Sequence, residues 1–378
     1  MISSDRLAET FKFLVEIDSE SGNEANVSNE IRKIFESLGV AEIHIDDAGA
    51  QTGSNTGNLI AKFEGSTSVP PLMLNAHMDT VSPGKGVKAI LRNGVFTSDG
   101  TTILGADDKS AIAILIEILH VLRENSLPHG PLEIVLTTCE EVGLLGAKHL
   151  DFSLITAKYG YALDSGDTEG LVTRAPGANR FEFRVHGKDA HAGVAPEKGI
   201  NAISLASKAI AGLEIGRIDH ETTCNIGIIE GGIATNIVPS LVTVRGEVRS
   251  HDEDKLDKLT NKIVSAFKSA VESDTAASEN ELPRVDIQLD NDFSHTNVPK
   301  DHPVVALAQE AAANIGREIR LKTSGGGADA NVFFKQGIMT GVLGTGMRDV
   351  HTVREFVRLD DMVRAAELVL EIIRIHSK

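Results

Sequence analysis

The sequence predicts an α/β fold, with a mostly parallel sheet flanked by helices and interrupted by an inserted ferredoxin-like α+β unit. Two observations carry this. Short apolar strands at 58–63, 72–76, 132–138 and 159–163 alternate with helical segments such as 110–123, the pattern of a layered α/β sheet. From about residue 178 the chain instead reads β-α-β-β-α-β, the order of the ferredoxin-like split unit.

The elements follow in order. Leu7, Phe11, Leu14 and Val15 form one helical stripe, and Val27, Ile31, Ile34, Phe35 and Leu38 form a second that stops at Gly39. Ser21 and Glu24 fit a capping box that would open this second helix. In the insertion, Phe181, Phe183 and Val185 alternate as a one-sided strand. A helix at 200–213, strands at 222–229 and 237–248, a helix at 252–271 and a strand at 284–289 complete it. A helix at 303–315, a buried strand Ile338–Leu343 and an apolar closing helix 359–375 then resume the first pattern. The expected division is 1–176 and 294–378 as a two-part first domain, with 177–293 inserted. A chain of 378 residues exceeds what one core usually spans.

Composition narrows the function classes. With 54 acidic against 37 basic residues the formal charge is −17, which repels nucleic-acid backbones and anionic lipid surfaces. Cys139 and Cys224 are too few and too far apart for a disulfide framework and read as packed thiols. The N-terminus carries Asp5 and Glu9 where a secretory signal needs a basic start. The longest apolar run, Ala111 to Leu119, is too short for a membrane span and is broken by Glu117. The expectation is a cytoplasmic protein. The glycines between Gly341 and Gly346 lack the spacing of a dinucleotide-binding loop.

Chemistry collects where the apolar strands stop. Strand 72–76 runs into His77-Met78-Asp79, strand 132–138 into Glu140-Glu141, and strand 159–163 into Asp164. Ile338–Leu343 leads through a Gly-rich turn to Asp349-Val350-His351, and Asp107-Asp108 stands just before the helix at 110–123. In open parallel sheets the crevice beyond the carboxyl ends of the strands is where ligands bind, so these groups should converge there. His77 and Asp79 share a face, which lets Asp79 fix the imidazole tautomer. Imidazole plus carboxylates suits zinc, with manganese or cobalt as alternatives. Two ions about 3.5–4 Å apart need a shared carboxylate, and such pairs catalyse hydrolysis.

The ordered motifs NAHMDTV, LGADDKSAIA, TTCEEVGLLGA, YALDSG, HGKDAHAG, TNIVP and VHTVREFV resemble those of the M20 metallopeptidases, most of all peptidase T and its shorter relatives. The resemblance runs over nearly the whole chain and implies a zinc-peptidase-like catalytic domain whose insertion serves as lid and dimerisation domain. It implies two divalent ions: His77, Asp107 and Asp164 for one, Asp107, Glu141 and His351 for the other, with a cis peptide between Asp107 and Asp108. It makes Asp79 the residue that orients His77, and Glu140 the general base and acid. In the insertion it implies substrate contacts from His191, Asn236 and Arg249, and from Gly326 in the later glycine loop. The implied activity is removal of N-terminal residues from di- and tripeptides by a homodimer. Asp164 rather than glutamate favours the aminopeptidases of the family. A carboxypeptidase or N-acyl amino acid deacylase is the enzymatic alternative, and an inactive peptide-binding scaffold the alternative of another class.

Overall fold

Strands Leu132–Thr137, Leu72–His77, Tyr159–Ala162 and Met339–Leu343 lie side by side and parallel in the middle of a nine-stranded sheet. Leu72–His77 and Leu132–Thr137 are buried along their whole length, as strands covered on both faces must be. Antiparallel neighbours close the sheet on each side: Leu59–Phe63 and Glu42–Ile45 beyond the first strand, Gly170–Ala175 beyond the last. This computed structural model describes residues 2–273 and 282–378.

One compact unit comprises Met1–Arg174 with Thr296–Lys378, and a second comprises Ala175–His295. In the first, the helix Ala106–Glu124 is buried almost end to end. Its one interior carboxylate, Glu117, is matched by Arg6 at 2.6 Å and the Ser3 amide at 2.7 Å, because a buried charge persists only when paired. The helices Ser4–Val15, Pro303–Asn314 and Leu359–His376 place their apolar stripes in the same core.

The second unit is an antiparallel sheet in the order Thr222–Gly231, Leu241–Ser250, Gly177–His186, Arg284–Phe293, with two-residue Gly216–Arg217 at one edge. With helices Ala202–Ala211 and Glu253–Glu272 this is the ferredoxin-like arrangement. Its core is centred on Phe183 stacked against Phe267, ring centroids 4.2 Å apart.

Three of the departures from the sequence reading are these. The strand expected from 237 begins at Leu241. Pro239 has no N–H to give a ladder, and Asn236–Val238 pairs with the loop carrying His191 instead, through Ala192 N to Asn236 O at 2.9 Å and Val238 N to Ala190 O at 2.9 Å. A small sheet of Ile90–Arg92, Val95–Thr97 and Phe356–Arg358 was not anticipated. Finally, Glu24 occupies the N-cap of helix Ala25–Leu38 but makes no capping bond. Ser21 donates to Asp79 at 2.6 Å and Glu24 accepts from the Cys139 amide at 3.0 Å. Both side chains are drawn to the ends of the central strands.

Candidate metal centre

All four central strands deliver a chemical group at the same end. His77 is the last residue of its strand, and Glu140-Glu141, Asp164 and His351 follow theirs. Asp107 sits in a non-helical first turn of the helix Ala106–Glu124, and the Asp107–Asp108 bond is cis.

Asp107 is the hub. One oxygen lies 3.1 Å from His77 Nε2 and the other 3.3 Å from His351 Nε2. His351 Nε2 also lies 2.9 Å from Glu141 Oε1. Ligand atoms of His77, Asp107 and Glu141 fall within 4.8 Å of one another, and so do those of Asp107, Asp108 and Asp164. The chain thus brings His77, Asp107, Glu141, Asp164 and His351 together, and adds Asp108.

The electrostatics are those of carboxylates crowded out of water. Burial pushes Asp164 up to about 7, with Asp107 adding to the shift, and raises Asp108 well above its usual range. Burial likewise raises Glu140 strongly, and Asp164, Asp329 and Glu141 add to it. Asp107 is opposed by burial yet held low, because His351 and His77 both donate to it. Hydrogen bonds to Asp107 and then Glu141 raise His351 to about 10. Burial works against His77, but Asp107 and Asp79 outweigh it and raise its pKa well above the usual value.

Two observations fit divalent cations. Asp108 Oδ1 is buried with no hydrogen-bond partner among the described residues, an expensive arrangement unless another charge satisfies it. The donors are also hard oxygens and imidazole nitrogen with no thiolate, as Cys139 lies buried with its pKa pushed up to about 12 by burial and Glu24. Without an ion the neighbouring carboxylates favour the cationic form of both imidazoles, whereas ligation needs them neutral. Loading zinc at pH 7 should therefore release protons, and affinity should fall as pH falls, since acid favours the protonated ligands that compete with the ion. Calorimetry in buffers of different ionisation enthalpy measures this, and buffer-independent heats would contradict it.

Around the hub, main-chain amides are held by buried carboxylates. His77 Nδ1 lies 2.9 Å from the Asp79 carbonyl oxygen and 3.4 Å from Asp79 Oδ1. The Asp79 carboxylate itself accepts from the amides of Glu140 at 2.9 Å and Glu141 at 3.2 Å. Glu355 accepts from the amides of Leu104, Gly105 and Asp107 at 2.8, 2.8 and 3.0 Å. Lys109 is buried and donates to Ile17 O at 2.6 Å, and burial lowers its pKa to about 7. Asp329 accepts from Asn75 at 3.3 Å and from Thr137. From sequence, Asp108 was noted only beside Asp107, joined to it by a cis peptide, and Lys109, Asp329 and Glu355 were not singled out. Glu355 and Asp329 lie within motifs that were, but backbone-directed partners leave no trace in spacing.

The remaining candidates are placed as follows. Gly326 is half-buried in the first unit, its amide donating to Ser324 Oγ at 3.0 Å. His191, Asn236 and Arg249 belong to the second unit, where the first two are exposed and lie on paired segments. His191 Nδ1 accepts from the Gly193 amide at 3.2 Å. Arg249 grips Glu247 at 2.9 and 3.1 Å and lies 5.9 Å from the Phe293 ring centroid.

Known proteins place this arrangement. The peptidase dimerisation domain of the M20 type matches residues 173–275, and peptidase family M28 matches 58–165. An uncharacterised protein of Bacillus subtilis, YqjE, is 43% identical over the full length of both chains. Peptidase T of Fusobacterium nucleatum is 28% identical over 89% of this chain and 80% of its own. Among solved structures, the aminopeptidase PepT of Bacillus cereus superposes with a TM-score of 0.92 at 42% identity, covering 100% of both chains. A tripeptidase of Staphylococcus aureus gives 0.93 at 37% identity, covering 100% of this chain and 99% of its own. Similarity of that extent, together with the M20 dimerisation domain, shows that this chain belongs to the M20 family of metallopeptidases, in its peptidase T-like group.

Proposed function

We propose that the chain is a dinuclear metallo-aminopeptidase that removes N-terminal residues from di- and tripeptides, with zinc as the working ion and cobalt or manganese as substitutes. The observation that carries the two-ion reading is the Asp107 carboxylate, which presents one oxygen to His77 and the other to His351. His77 and Asp164 would complete one ion's ligands, Glu141 and His351 the other's. Bound ions would acidify a water and polarise the scissile carbonyl.

The chain's own residues supply the rest. Glu140 has a raised pKa and is not needed as a ligand, so it suits a general base that takes a proton at neutral pH and returns it to the leaving amine. His191 accepts at Nδ1, so its neutral ring carries the proton on Nε2 and is ready to donate to an oxyanion. Arg249 offers a planar fork to a peptide carboxylate, in competition with Glu247. Asn236 lies on the segment paired with that of His191. At Gly326 a Cβ would meet nothing nearer than Ser324 Oγ at 4.0 Å, which leaves room for a substrate main chain.

The insertion, taken as 177–293, is proposed as lid and homodimer interface. Only Thr223 and Cys224 of the strand Thr222–Gly231 pair with Gly216–Arg217, and Ile228, Ile229 and Ile233 on and after it are exposed. An apolar open edge of this kind is normally covered. No described helix is long and apolar enough to cross a membrane.

Metal analysis of the purified protein, followed by assay of free and N-acetylated di- and tripeptides, tests the assignment. Hydrolysis confined to free-amine peptides, from the amino end, is the expected result. Preference for N-acylated substrates would move the chain to the deacylases, and absence of turnover with ions bound would favour a binding scaffold.

A further inference from the structure

Glu24 is a fully buried carboxylate for which the proposed chemistry has no use. Its partners are specific. One oxygen accepts from the amides of Gly22 at 2.9 Å and Cys139 at 3.0 Å, with Cys139 Sγ at 3.4 Å, and the other accepts from Ser54 Oγ at 2.5 Å. Cys139 is the turning point between the strand Leu132–Thr137 and the Glu140-Glu141 pair, and its φ of 52° lies in the left-handed region, where a residue with a Cβ rarely stays without outside contacts. Next along the chain, the amides of Glu140 and Glu141 donate to the two oxygens of Asp79. Three successive main-chain N–H groups are therefore held by two buried carboxylates.

In a regular strand, adjacent Glu140 and Glu141 would point to opposite faces. The turn at Cys139 changes that, and Asp79 alone cannot set it, because it grips only the residues after the turn. We propose that Glu24 is a positioning residue that holds Cys139 in its turned conformation and so aims Glu140 at the reacting water while Glu141 stays on the ion. Glu24 and Cys139 lie 115 positions apart, and the clamp belongs to the segment before helix Ala25–Leu38, which also anchors Ser21 on Asp79. The proposal rests on the base assignment of Glu140.

The test compares Glu24→Gln, Glu24→Asp and Glu24→Ala with Glu140→Gln, each as the full-length zinc-loaded protein, assayed on trialanine with metal content and melting temperature recorded. Gln keeps an acceptor oxygen for the Gly22 and Cys139 amides and should stay within about threefold of wild-type kcat. Asp keeps the charge but is one methylene short, so it should fold, hold its ions and keep its KM, yet lose on the order of 10²-fold in kcat. Ala should lose at least as much, and if it fails to fold the Asp and Gln pair decides alone. A purely structural role would instead lower yield and melting temperature while leaving kcat per metal-loaded molecule unchanged. Wild-type kcat in Glu24→Asp, or a loss in Glu24→Gln as large as in Glu24→Asp, overturns the proposal. Turnover retained by Glu140→Gln would overturn the base assignment and the clamp with it, whereas loss there beside full activity in Glu24→Asp overturns the clamp alone.

Discussion

Glu140→Gln should hold as many ions as the wild type while kcat falls by about 10²–10⁴-fold, the span that a positioned general base supplies. The substitution is nearly isosteric, and the Glu140 contact that fixes the backbone is its amide to Asp79, which the change does not touch. What disappears is the carboxylate whose pKa burial and the neighbouring acids raise. Elemental analysis and steady-state kinetics on one preparation check both halves. A variant that turns over at the wild-type rate, or that loses its ions, contradicts the assignment of Glu140 as a base rather than a ligand.

Asp107→Asn should behave in the opposite way, losing ions and activity together. The wild-type side chain offers an oxygen to each histidine's side of the centre. An asparagine offers one oxygen and one NH₂, and that group cannot ligate a cation. Occupancy should fall to one ion or none, with kcat down about 10³-fold or more because activating the attacking water and polarising the scissile carbonyl would draw on both ions. The His351 pKa should fall from its raised value, as Asp107 is the largest single cause of that shift. Titration of His351 by NMR in the ion-free protein reads this directly. An Asp107→Asn protein with two tightly held ions would remove Asp107 from the bridging position.

Much of the fold could be read from the sequence because strands buried on both faces leave continuous apolar runs. Leu72–His77 and Leu132–Thr137 are such strands, and the groups that end them were visible for the same reason. Elements that lean on neighbours rather than on their own pattern were missed. Arg320–Thr323 is a half-exposed strand beside Gly170–Ala175, and Ile90–Arg92 and Val95–Thr97 are three residues each. Helix Asp329–Lys335 has seven residues, too few to establish a period. The capping-box reading of Ser21 and Glu24 failed for an instructive reason. Two side chains that local geometry would turn inward to their own helix are claimed by distant partners, Ser21 as a donor to buried Asp79 and Glu24 as an acceptor from the buried Cys139 amide. Local propensity gave way where the candidate site imposed its own requirements.

Glu355 bonds to main-chain groups 251, 250 and 248 positions earlier, so the two stretches that carry Asp107 and His351 meet only by closing a very long loop. Such contacts form late, after the entropy of closure has been met by the surrounding core. Cations can therefore recognise only a nearly finished molecule. Bound cations would act as a latch on the completed protein, retarding its opening rather than guiding its collapse.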